Sequence, residues 1–188
     1  MIISIDSSKA DDHVSSLGNS LSIKFRNEGY LAEVLADPTG SDNTKSGLPS
    51  TIESLRRKSG MDPVTSYLLL LAARSSMLDH IEGVRQEKVI ILLGGPLKWR
   101  QDEDDILDAL GDSKRQIGWL FRAWNDLAQP VWPDLCVHLI SSNRDRYVNF
   151  NTICRPATIL ECGTDDLEDL MVRVFKWVLE EQHQPART

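Results

Sequence analysis

Apolar residues fall into short runs and spaced stripes that alternate along the chain. Ile2-Ile3-Ser4-Ile5 is short and β-branched and gives way to polar Asp6-Ser7-Ser8, which predicts a buried strand meeting a loop. Val14, Leu17, Leu21 and Phe25 recur at helical spacing, and Gly29 stands where that helix stops. Residues 30–35 predict a second strand, closed by the turn Asp37-Pro38-Thr39-Gly40. Polar residues 41–50 read as a surface loop, and Pro49 opens a helix through Arg57. A longer helix is expected over residues 63–84; its segment 67–73 is apolar almost all round and must be covered on more than one side.

Residues 89–93, closed by Gly94-Gly95-Pro96, form the clearest strand, and an apolar run without alternation belongs in a parallel sheet covered on both faces. The acidic run Asp102-Glu103-Asp104-Asp105 is expected to open the helix that contains Ile106, Leu107 and Leu110, because early carboxylates favour the helix dipole. Ile117, Leu120, Phe121, Trp124 and Leu127 mark another amphipathic helix. Residues 135–140 and 157–160 predict the fourth and fifth strands, and Leu167, Leu170, Met171, Val174 and Val178 stripe a terminal helix. Strands alternating with helices predict a three-layer α/β/α sandwich around a mainly parallel five-stranded sheet.

The chain has 188 residues, the size of one domain, so residues 1–188 are expected to fold as a unit. Apolar residues at 41% and charged residues at 26% exclude a disordered chain. The net charge of −7 is the wrong sign for a general nucleic-acid binder or a protein held on anionic membranes. Three cysteines without a CxxC pair argue against a secreted disulfide framework. The apolar segment 67–73 is too short to span a bilayer, and Asp6 interrupts any signal-peptide core. A soluble intracellular protein, most simply cytoplasmic, is expected. The histidines show no HExxH or HxH spacing and no serine sits in a GxSxG elbow, so neither a metal site nor hydrolase chemistry is expected. Trp99, beside Lys98 and Arg100, belongs either to the core or to a partner surface.

Several segments, taken in order, carry a resemblance. Glu28-Gly29-Tyr30 before the second strand and Asp37-Pro38-Thr39-Gly40-Ser41 after it are similar to a "GY…EPGGT" stretch. Leu55-Arg56-Arg57-Lys58-Ser59-Gly60 followed by Ser66 through Arg74 resembles a helix that ends its apolar run with a base-contacting arginine. Trp132-Pro133-Asp134-Leu135 leading to Leu139 looks like a "PDL…L" strand. Collinear over roughly residues 1–140, the set resembles the thymidylate kinase family, which implies a P-loop nucleotide-kinase fold. It also implies nucleotide-binding roles for Arg74, Arg57, Ser76 and the motif's acidic residue Asp37, and a homodimer formed through helices that include the one bearing Arg74. From the residues alone, Arg74 is either such a contact or the partner of a nearby carboxylate such as Asp79.

The departures from the family bear on activity. A working P-loop reads G-x-x-x-x-G-K-[ST], since glycines admit phosphate to backbone N–H groups, lysine reaches the outer phosphates and the hydroxyl binds Mg²⁺. At those defining positions this chain has Ser7, Asp12, His13 and Val14, and Lys9 is the one lysine of the loop. A carboxylate facing phosphate at about 4 Å costs roughly 4 kcal/mol at an effective dielectric near 20. The acidic–arginine pair expected after the third strand is Leu93-Gly94-Gly95, Ala36 replaces the arginine before Asp37, and the lid region 141–156 is short, keeping Arg144 and Arg146. The expectation is an inactive kinase-like protein, a pseudokinase acting as a binding or scaffold protein, needing no cofactor. It would take at most a weak mononucleotide or anion at Arg74. The alternative is a divergent thymidylate or nucleoside-monophosphate kinase that uses ATP and Mg²⁺.

Overall fold

The computed structural model describes residues 1–7, 11–38, 61–110, 118–119, 122–124, 132–140, 158–163 and 167–182. Five strands, β1 (Ile2–Ser7), β2 (Ala32–Ala36), β3 (Val89–Leu93), β4 (Leu135–Ile140) and β5 (Thr158–Gly163), form one sheet in the order β2-β3-β1-β4-β5. Every pairing in it is parallel. The main helices are α1 (Asp11–Asn27), α2 (Pro63–Val84), α3 (Pro96–Leu110) and α4 (Leu167–Gln182). The expected three-layer α/β architecture and its five strands are present.

Alternation along each strand divides the core in two. Ile3, Ile5, Ile91, Val137 and Leu139 face α1 and α4, joining Leu17, Leu21, Phe25 and Val174. Ile2, Ile90 and Leu92 point the other way and pack with Tyr67, Leu70, Ile81, Trp99 and Ile106 of α2 and α3. Right-handed crossovers produce this division: β1 passes over β3 to reach β2, whereas the chain steps back toward β1 after β2 and on to β4 after β3. The helices that follow neighbouring strands β1 and β3 therefore leave on opposite faces, which makes the carboxyl ends of these strands the topological switch point.

Local chemistry sets the element ends. Gly29, at φ +88°, closes α1 in a Schellman turn, with Gly29 N–H donating to Arg26 O (3.0 Å) and Tyr30 N–H to Phe25 O (2.9 Å). Tyr30 then packs edge-on against Phe25, with ring centroids 6.1 Å apart. Residues 30 and 31 thus belong to the helix stop, and β2 begins at Ala32 rather than at position 30. Asp62 caps α2 by accepting from Thr65 N–H at 3.0 Å, and Pro63 occupies the first helical position.

Helix α3 starts at Pro96, so the acidic run 102–105 does not open a helix as expected but lies within one. Pro96 fixes the first turn and Trp99 N–H bonds back to Gly95 O at 2.9 Å, which makes Gly95 the cap residue. In the segment 67–73, Tyr67, Leu70, Leu71 and Ala73 are buried, while Leu68 and Ala72 are exposed. The expected loop 41–50, the helix after Pro49 and the shortened lid 141–156 lie outside the described residues.

Candidate functional site

In an open parallel sheet, ligands bind beyond the carboxyl ends of the strands at the switch point. Three hydrogen bonds from backbone amides draw the relevant chain ends together here. Gly94 N–H donates to Ile5 O (2.9 Å), Asp37 N–H to Leu93 O (2.7 Å), and Gly95 N–H to Asp6 Oδ1 (2.6 Å). Gly94 has φ +78°, a conformation that suits glycine. A Cβ on Gly95 would lie 2.7 Å from Ser4 Cβ, so the cap position of α3 has no room for a capping side chain.

Asp6 supplies that cap from β1. Its carboxylate accepts the Gly95 and Lys98 amides, which are among the N–H groups a helix start leaves without intrahelical partners. The side chain is 3% exposed. Burial pushes its carboxyl up to about 6; the two amides oppose that shift, and the nearby Asp37 adds to it. The adjacent β4 position in register is His138, also buried.

Beside Asp6 lies a buried ion-pair network. Arg74 of α2 is fully buried and donates from Nε to Asp37 Oδ2 at 2.8 Å and from Nη2 to Asp37 Oδ1 at 3.2 Å. Arg74 Nη2 also bonds Asp102 of α3. Trp99 Nε1–H donates to Asp37 Oδ2 at 2.8 Å, and the indole stands beside the guanidinium, which is 5.8 Å from the ring centroid. Burial works against the charge on Arg74, but Asp37 and Asp102 outweigh it and hold the guanidinium above its ordinary range. Burial raises Asp102 despite Arg74 and Lys98, and raises Glu103 as well. The Tyr67 phenol, two turns earlier on the same face of α2, is also pushed up by burial. Arg74 Nη1 is buried with no hydrogen-bond partner.

The structure brings together two of the four nucleotide-binding candidates, Arg74 and Asp37, and joins them to each other. Arg74 meets Asp37 and Asp102; Asp79 is exposed farther along α2. Ser76 is half-buried on α2, and Arg57 lies outside the described residues. Of the P-loop positions, Ser7 ends β1 and is half-buried, Lys9 lies outside the described residues, and Asp12 falls in the first turn of α1. His13 is exposed. Val14 is 7% exposed and packs in the core with Ile3, Ile5 and Leu17.

Trp99 is not a surface residue: it is 3% exposed and meets Trp124 and Trp132 edge-on at 5.7 and 6.0 Å. Asp6, Asp102 and Trp99 are the members of the network that sequence reasoning did not select. The available signal was Gly94-Gly95-Pro96, a helix start with no side chain of its own to cap it. Among the described residues, no group of three His, Cys, Asp or Glu side chains can hold a metal ion, and no helix is long and apolar enough to cross a membrane.

No family model matches the chain, and no curated protein does. Among solved structures it is similar to the crystal structure of thymidylate kinase from Ehrlichia chaffeensis, with a TM-score of 0.57 and 18% identity over 95% of this chain and 98% of that one. The fold is that of thymidylate kinase.

Proposed function

We propose that this chain is a thymidylate kinase-fold protein that has lost phosphoryl transfer from ATP and works by binding, as a pseudokinase or scaffold. The observation that carries this reading is the seat of Val14. The position at which a P-loop presents a hydroxyl to Mg²⁺ is a valine packed into the core between β1 and α1. It has no oxygen to offer a metal. His13, in place of the P-loop lysine, is exposed in the first turn of α1 and is shorter than lysine.

Phosphoryl transfer rests on positioning and charge neutralisation. The described groups at this end of the sheet include Asp6, Asp37 and Asp102 against the single buried cation Arg74. Such a balance repels a triphosphate rather than neutralising it. Arg74 Nη1 is the buried donor left for a mononucleotide or a simple anion, and with two carboxylates already on the same guanidinium that binding is weak. The protein partner we favour is a second copy, docked on the exposed face of α2 that carries Leu68 and Ala72.

The test is a phosphorylation assay with dTMP, ATP and Mg²⁺. The reading requires no turnover above a protein-free control. Turnover that disappears in Lys9→Ala would overturn it and establish a divergent nucleoside-monophosphate kinase.

A further inference from the structure

Helix α3 is attached to the sheet at its first turn by a carboxylate that is not its own. Asp6 of β1 holds the Gly95 and Lys98 amides, with Gly95 N–H at 2.6 Å. Ser4, two residues before Asp6 and on the same face of β1, is fully buried, and its hydroxyl makes no hydrogen bond to any described residue. A hydroxyl can donate to a carboxylate or accept from a carboxylic acid, so Ser4 is suited to either protonation state of Asp6.

Among the described residues, the charges around Asp6 do not balance. On the side of β2 lies Asp37, already committed to Arg74 of α2 and to Trp99. Lys98 and Asp102 of α3 pair with each other at 3.8 Å, and Lys98 is part-exposed. From β4 the neighbour is His138. A buried carboxylate in such company gains from a proton, whereas the same carboxylate in water does not at neutral pH. Gly94, at positive φ, and the closely packed Gly95 join β3 directly to the start of α3.

We infer that the docking of the α3 first turn on β1 is proton-linked: the docked turn takes up one proton from solvent on Asp6, and the lifted turn releases it as the carboxylate is hydrated. Acid therefore holds α3 against the sheet and neutral pH loosens it. This direction is opposite to that of a surface ion pair, which acid breaks. It is independent of whether the chain transfers phosphate.

The experiment is residue-resolved hydrogen exchange on the intact protein, expressed as protection factors so that the intrinsic pH dependence is removed. With the Asp6 carboxyl at about 6 when docked and near its ordinary value when lifted, protection of the Gly95 and Lys98 amides falls about 10-fold from about pH 5 to pH 7.5. Asp6→Asn removes that fall and His138→Gln keeps it. Equal wild-type protection at both pH values overturns the inference, as does a fall that survives Asp6→Asn and disappears in His138→Gln. A carbon-13 titration of the wild-type Asp6 carboxyl decides the matter without any variant. A midpoint near 6 supports the linkage and one near 4 rejects it.

Discussion

Arg74 and Asp37 meet through two hydrogen bonds, at 2.8 and 3.2 Å, with both side chains almost wholly out of water. They come from elements far apart in the chain, the middle of α2 and the loop that follows β2, and Asp102 and Trp99 tie α3 to the same pair. Removing the cation leaves the carboxylate of Asp37 buried without a countercharge and part-buried Asp102 with Lys98 alone. Arg74→Ala is expected to destabilise the fold by about 3–5 kcal/mol in urea titration at neutral pH. Arg74→Lys keeps the charge but not the two-pronged geometry, and loses less. A change below about 1 kcal/mol for Arg74→Ala would show that the pair carries little of the fold's stability.

Trp99 combines packing with one directed bond. Trp99→Phe retains an aromatic ring beside Trp124 and Trp132 but removes the N–H that reaches Asp37. Loss of a hydrogen bond to a charged acceptor costs about 2 kcal/mol, to which the smaller ring adds. Double-variant cycles in urea with Asp37→Asn should show coupling, because both changes act on the same contact.

Asp6 gives the stability a pH dependence of its own. Its folded-state carboxyl lies above the unfolded value, so the folded protein binds the proton more tightly and stability falls as pH rises. The window runs from the ordinary carboxylate range up to about 6. Between about pH 4 and pH 7 the contribution amounts to about 2 kcal/mol. Carboxylates with the opposite shift act throughout, so the quantity to follow is the wild-type stability minus that of Asp6→Asn. That difference should decline across this window.

Two glycines in different settings respond oppositely to alanine. Gly83 in α2 has open space where a Cβ would stand, and Gly83→Ala should stabilise by up to about 1 kcal/mol. Gly95→Ala brings a methyl group to 2.7 Å from Ser4 Cβ and 3.3 Å from Asp6 Oδ2. It should destabilise by about 1–3 kcal/mol and weaken the α3 cap at the same time. Thermal melts of the two variants give the comparison.

The exposed stripe of α2 yields a test of assembly. Leu68 is 45% exposed on a helix whose Tyr67, Leu70, Leu71, Met77, Leu78 and Ile81 are buried within the chain itself. A second copy seated there gives a light-scattering mass of twice the 21.2 kDa chain, returning to the single mass in Leu68→Lys. A wild-type mass of one chain that persists on concentration removes the proposed dimer.

Patterning made much of the fold legible. The run at Val89–Leu93 read as the clearest strand, one covered on both faces, and α2 follows the span expected for it, residues 63–84. The misreadings have local causes. Tyr30 and Leu31 are β-formers, yet the chain uses Tyr30 to cover Phe25 as α1 ends. Gly94-Gly95-Pro96 reads as a strand stop but is also a helix start, which moved the acidic run into the body of α3. The candidate site was less legible, because its members pair across long separations. Arg74 and Asp37 could be singled out one by one, but nothing in their spacing said that they meet each other. Asp6 read as the first polar residue of the loop after the first strand, whereas β1 runs on through it to Ser7.

The central claim, that this fold no longer holds a nucleotide triphosphate, is tested most directly by calorimetric titration of the protein with Mg²⁺-ATP into the millimolar range. The substitutions at Asp12, His13 and Val14, and the burial of Val14 in the core, predict no saturable heat. A saturable isotherm that depends on Mg²⁺ would contradict the account.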